Sequence, residues 1–127
     1  MSDRFKFRLW AKDIEMYFKG ALIYINTDGK LVAEDGVKVY EIDQKAYIIE
    51  QCTGLKDKNG KLIYEGDIVE VGGRYAKGNY KIIFYECDCE YDLISCNDCF
   101  VYQLDSEIAD NSEVIGNIHE NKELLDA

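Results

Sequence analysis

The chain has 127 residues, 47% of them hydrophobic, with ten tyrosines, five cysteines, no proline and a formal net charge of −10. That length holds one domain or two small subdomains sharing a core, and that composition excludes a disordered tail. No apolar run approaches the ~18 residues of a membrane-spanning helix, so no membrane contact is expected.

Period-two alternation dominates from the start. In "RFKFRLW", Phe5, Phe7 and Leu9 share one strand face and Arg4, Lys6 and Arg8 the other. The opening "MSDRFKFRLWAK" interleaves charge with aromatics and has no continuous apolar stretch, so a signal peptide is not expected. With five cysteines and no such leader, the predicted setting is a reducing cytoplasm, the thiols free or metal-bound. "GALIYIN", "TDGK" and "KLVAED" predict a hairpin around Asp28-Gly29, and "VKVYEI" and "AYIIEQC" two further strands.

"TGLKDKNGKLIYEGDIV" then concentrates turn chemistry and mixed charge between two apolar runs. Thr53-Gly54 is expected to close a strand, and Asp57-Lys58-Asn59-Gly60 to form a tight turn, because Asn and Gly tolerate positive φ. Leu62, Ile63 and Tyr64 make a short return, and Glu65-Gly66-Asp67 turns the chain again before Ile68 and Val69. The segment reads as a joint between two β units. Beyond it, "DIVEVGG", "YKIIFYE", "EYDLIS", "FVYQL" and "EVIGNI" are short Val/Ile/Tyr/Phe-rich strands, and only the tail "ENKELLDA" favours a helix. The predicted fold is mainly β: an N-terminal β-rich subdomain over 1–52, a connecting turn segment over 53–66, a second β unit over 67–118, and a tail over 119–127 with a short helix.

Charge is lopsided. Residues 1–81 hold 14 basic and 13 acidic side chains; residues 82–127 hold one lysine, Lys122, and 12 acids. This disfavours a nucleic-acid backbone as partner for the second half and suits a basic protein or a divalent cation, or a solvated acidic face. Arg4, Lys6 and Arg8 on one strand face keep a nucleic-acid contact open for the first half.

The sharpest local motif is "CDCEYDLISCNDC". Cys87, Cys89, Cys96 and Cys99 supply four thiolates, a set that can hold zinc tetrahedrally. Against this, Tyr85, Cys87, Cys89, Tyr91 and Leu93 alternate with Glu86, Asp88, Glu90 and Asp92, which places the cysteines as small residues of one strand. Alternatively, Asp88 sits in a turn between two strands; a disulfide or redox role also stays open. Cys52 reads as a buried thiol. His119, the only histidine, has no nucleophile near it in sequence, and the four serines form no nucleophile elbow. Asp105, Glu107, Asp110 and Glu113 bracket "SEIADNSE", expected as a loop, without the spacing of a calcium loop. Gly72-Gly73 and Gly78-Asn79 frame a loop with Arg74 and Lys77 at its tip, and no phosphate-binding glycine motif is present. No catalytic set emerges, so an enzyme is not expected, and the tyrosines suit a core or a protein interface better than base stacking.

Three blocks in order resemble the YopX family of temperate-phage and prophage proteins: "FKFRLWAK" followed by Met16-Tyr17, "QCTGLKDKNGKLIYEGDIVEV", and "EVIGNIHENKELL". The resemblance implies an N-terminal β part followed by an SH3-like barrel of roughly five strands over 67–118. It also implies a phage origin and a site of action in the bacterial host cytoplasm. It supplies no catalytic residue and no cofactor. The resulting expectation is a phage accessory protein that binds another protein or itself. The alternatives are a nucleic-acid-binding or DNA-mimic protein, or a zinc-stabilised binding module.

Overall fold

A computed structural model describes residues 6–18, 22–96 and 100–125. It divides into two compact units, Met1–Cys52 and Thr53–Ala127. Twelve strands are described: β1 (Phe7–Ala11), β2 (Met16–Tyr17), β3 (Leu22–Ile25), β4 (Leu31–Glu34), β5 (Val39–Glu41), β6 (Tyr47–Lys56), β7 (Leu62–Tyr64), β8 (Asp67–Val71), β9 (Gly78–Tyr85), β10 (Glu90–Ser95), β11 (Val101–Gln103) and β12 (Ser112–Asn117). One short helix, α1 (Ser106–Asp110), and single 3-10 turns at Gln44–Ala46 and Lys122–Leu125 complete the elements among the described residues. Every registered pairing is antiparallel, and the fold is mainly β, as the alternation predicts.

In the first unit, β3, β4 and β5 form a meander and β1 pairs with β2 and with the start of β6. Leu9, Leu31, Ala33 and Ile42 make the core, with Phe18, Ile23, Tyr40, Tyr47 and Ile49 packed around it. The other face of β1 is occupied too. Trp10 meets Tyr17 edge-on at 5.0 Å between ring centroids, and Arg8 donates to the buried Glu50. The polar face read from the alternation is therefore committed at Arg8; Arg4 lies outside the described residues.

β6 does not stop at Thr53-Gly54. It runs on to Lys56, because Gly54 takes φ +86° and lets the strand bend without ending. Thr53 Oγ1 donates to the Ile63 carbonyl at 2.8 Å, fastening the strand to the return through β7.

Two loops share one design that their sequences announce. Asn26-Thr27-Asp28-Gly29-Lys30 and Asp57-Lys58-Asn59-Gly60-Lys61 both place an Asx side chain under two backbone amides. Asn26 Oδ1 accepts from Asp28 and Lys30, and Asp57 Oδ1 from Asn59 and Lys61, all at 2.9–3.0 Å. The glycine at the fourth position takes φ near +80° in each, which a Cβ would strain. Asp57 does one thing more: its Oδ2 accepts from Val114 N at 2.9 Å, so the turn is tied to β12.

The second unit is a five-stranded sheet in the order β11-β10-β9-β8-β12. Its core gathers Ile63, Val69, Val71, Tyr80, Ile82, Leu93, Ile108 and Ala109. Tyr80 is fully inside and donates its hydroxyl to the Ala76 carbonyl at 2.7 Å, which meets the requirement of a buried phenol for a partner. "SEIADNSE" is not a loop. Asp105 caps α1 by accepting from Ile108 N at 2.9 Å, and Ile108 and Ala109 reach the core from its inner side. The tail carries a single 3-10 helical turn at Lys122–Leu125.

Candidate functional site

Register decides which side chains share a surface in the second unit. β9 and β10 pair Tyr85 with Glu90, Ile83 with Asp92 and Lys81 with Ile94; β10 and β11 pair Asp92 with Gln103 and Ile94 with Val101. The alternate positions Tyr80, Ile82 and Leu93 belong to the core, so these partners occupy the opposite, outer face. That face carries Tyr85, 45% exposed, and Val101, 57% exposed, with Ile83 and Ile94 half-buried between them. In its middle lies Asp92, only 9% exposed.

Asp88, Glu90 and Asp92 approach one another at the turn end of this face. Hydrogen bonding to Asp92 holds the Glu90 carboxyl above its usual range, with desolvation and the nearby Asp92 and Asp88 charges acting in the same sense. The ion pairs formed among the described residues, Arg8–Glu50, Lys30–Glu41, Lys58–Glu113 and Arg74–Glu107, do not include any of the three. Sequence reading saw these acids alternating with aromatics and cysteines. It did not see that a four-residue turn returns Tyr85 and Glu90 to the same face.

Cys87 and Cys89 are not drawn together with Cys96. Cys87 and Cys89 are exposed in the turn between β9 and β10, where Cys89 takes φ +53°. Cys96 follows the far end of β10, its amide bonded to the Asn79 carbonyl. A six-residue strand spans roughly 20 Å, whereas sulfurs sharing one zinc ion lie about 4 Å apart. Cys99 lies outside the described residues. No group of three or more His, Cys, Asp or Glu positioned for a metal ion occurs among the described residues. Of the readings open at the sequence level, a turn at Asp88 is the one observed, and the single continuous strand through Cys87 and Cys89 is not.

The thiols differ in environment. Burial pushes the Cys96 thiol up, against the pull of the Lys81 charge, and Cys52 is fully enclosed. With a thiol-alkylating reagent and peptide mapping, Cys87 and Cys89 should be labelled in the native protein. Cys52 should wait for opening of the fold, slower by on the order of a thousandfold. Equal labelling of Cys52 and Cys87 in the native state would contradict this placement.

The remaining candidates serve separate structural ends. Asp105 caps α1, Glu107 pairs with Arg74 at 2.8 Å and Glu113 with Lys58 at 3.6 Å, while Asp110 ends the helix. Arg74 is exposed, so its pair is worth little. His119 follows β12, its amide donating to Asn117 Oδ1. Tyr75, Tyr80 and Tyr102 pack ring to ring, and Tyr102 Oη accepts from Ala76 N. A shallow hollow at Glu70, Val71, Gly72, Lys77 and Gly78 gathers no convergent polar set. Among the described residues no helix is long and apolar enough to cross a membrane.

Two antiparallel units joined through β6 define a mainly β protein whose chemistry-bearing side chains are spread over surfaces. The chain belongs to the YopX family, whose model, described as YopX protein, matches residues 6–126. Among solved structures it is similar to protein EF1440 from Enterococcus faecalis, at 27% identity and a TM-score of 0.57, covering 94% of this chain and 96% of that one. It is also similar to the protein yopX from Bacillus subtilis, at 19% identity and a TM-score of 0.59, covering 93% and 95%. No curated protein matches it.

Proposed function

We propose that this YopX-family chain is a protein-interaction module, carried by phage or prophage and acting in the bacterial cytoplasm. The observation that carries the reading is where large apolar side chains stand exposed. Leu22 and Val39 are 64% and 57% exposed, and they flank Glu34 in one row across β3, β4 and β5. Val37, in the loop before β5, is 92% exposed. Ile14 and Met16 add to the apolar surface of the first unit, and Tyr85, Phe100 and Val101 to that of the second. Exposed apolar side chains gathered into one row by strand register, here on either side of Glu34, are characteristic of surfaces that another protein covers. The first unit holds eight basic and nine acidic residues, so self-association through it meets little charge repulsion.

The test compares the wild type with a Leu22→Ser/Val39→Ser variant in sedimentation and in chemical cross-linking within bacterial cells. A defined assembly, homomeric or with one identified protein, weakened about tenfold or more in the variant supports the reading. A wild type that stays monomeric and cross-links to no protein overturns it.

A further inference from the structure

We propose that the outer face of β9, β10 and β11 is a docking surface for a protein segment that sets a lysine or arginine beside apolar side chains, the base meeting Glu90 and Asp92. This deepens the interaction reading above and rests on it. The apolar part comes from Tyr85 and Val101, which stand out from the sheet at either side of Ile83 and Ile94. The polar part comes from Asp92, 9% exposed, which the register sets between Ile83 and Gln103.

A carboxylate more than nine-tenths buried ordinarily accepts from a base or from amides. Here the polar group that Asp92 meets is another carboxyl, Glu90, and Glu90 meets Asp88 in turn. Three acids that crowd together and take part in none of the ion pairs named above repel one another, and a cation placed between Glu90 and Asp92 relieves that repulsion. Lys81 shares the face, one same-face position from Ile83 and opposite Ile94, but makes no ion pair with them.

The charge of the whole unit acts in the same direction. Residues 53–127 hold seven basic and 16 acidic side chains, which attract a basic partner at long range and resist a second copy of this unit. An inorganic cation would satisfy the carboxylates yet leave Tyr85 and Val101 uncovered. A basic side chain flanked by apolar ones satisfies both. The 3-10 turn Lys122–Leu125 is tied to the start of β9, where Asn79 Nδ2 donates to the Leu124 carbonyl at 3.5 Å.

The experiment titrates the isotopically labelled full chain with a short capped peptide alternating valine and lysine, at about 0.15 M salt. A serine–lysine peptide of equal charge and magnesium chloride alone serve as the other probes. Amide shifts should concentrate at Ile83, Tyr85, Glu90, Asp92, Ile94 and Val101. The valine peptide should bind at least about tenfold more tightly than the serine peptide, and Asp92→Asn and Val101→Ser should each weaken it several-fold. If Asp92→Asn fails to fold, Val101→Ser and Tyr85→Ser, at exposed positions, carry the test. Equal binding of the two peptides, shifts spread over every acidic loop, or a response reproduced by magnesium alone would overturn the proposal. Peptide shifts confined to β3, β4 and β5 would overturn this surface while leaving the interaction reading intact.

Discussion

Asp57→Ala should lower the stability of the second unit by about 2–4 kcal/mol, one of two large effects expected from polar groups outside the proposed surfaces. The side chain is buried and accepts three backbone amides: Asn59 and Lys61 on one oxygen, Val114 on the other. Alanine orphans all three. Asn59 and Lys61 are exposed and their amides recover water; Val114 lies in β12 and recovers less. The variant therefore loosens the turn and releases its tie to a strand 57 residues away in sequence.

The same carboxylate links stability to pH. Burial works to raise its pKa, but the amides of Val114, Lys61 and Asn59, with the Lys61 charge, outweigh it and leave the group below the usual carboxylate range. A carboxyl depressed in the folded state contributes stability that is complete above its unfolded pKa of about 3.9 and is lost as pH falls through the lower folded value. Urea titrations should show the wild type well ahead of Asp57→Ala at pH 7, and the gap closing in strongly acidic solution. A gap below about 0.5 kcal/mol at pH 7, or one that does not shrink with acid, would sink this account. Asp57→Asn keeps one acceptor oxygen but turns an amide NH2 toward Val114 N, so it should fall between the two.

Arg8→Ala is expected to cost about 2–4 kcal/mol in the first unit. Glu50 is almost completely buried, and its Oε1 accepts both Arg8 Nε at 2.7 Å and Tyr17 Oη at 2.8 Å. Arg8 also lies 4.7 Å above the Tyr17 ring, which itself packs against Trp10. Removing the guanidinium leaves a carboxylate in the interior with one of its compensating groups gone, and removes the stack as well. Hydrogen exchange should accelerate at β1 and the start of β6 while the amides of β8 to β10 stay protected. Adding Glu50→Gln should recover part of the loss, because the stranded charge disappears. If Arg8→Ala leaves exchange at β1 unchanged, the pair carries no stability. The same geometry affects any nucleic-acid experiment on this strand: weaker retention by an Arg8 variant would report a damaged fold, whereas Lys6 is exposed.

Much of the architecture was legible along the chain because the signals are local. The runs around Ile23, Tyr40, Ile49, Val69, Ile82, Leu93 and Val114 alternate with period two, and "NTDGK" and "DKNGK" supply an Asx acceptor and a positive-φ glycine at the required spacing. The family was legible in three blocks of sequence, and its model matches residues 6–126. Other features depended on partners distant in sequence. Arg8 looked like part of a solvent-facing basic stripe, and only its register opposite the buried Glu50 leaves it half-buried and paired. "SEIADNSE" looked like a loop, since one helical turn gives no period to detect; Asp105 as a cap and a core waiting for Ile108 and Ala109 decide it.

The cysteines show the same division. Their spacing grouped Cys87, Cys89, Cys96 and Cys99 as one set, yet β10 separates the first two from the third by its whole length. Composition, strand pattern and turn chemistry are properties of neighbours along the chain, so the amino-acid sequence determined them by itself. Which strand faces share a surface, and hence whether Asp92 sits among Tyr85, Ile83 and Val101, was decided by the tertiary structure. The number of residues in each turn sets the pairing, and a slip of one residue would send every side chain of a strand to the opposite face.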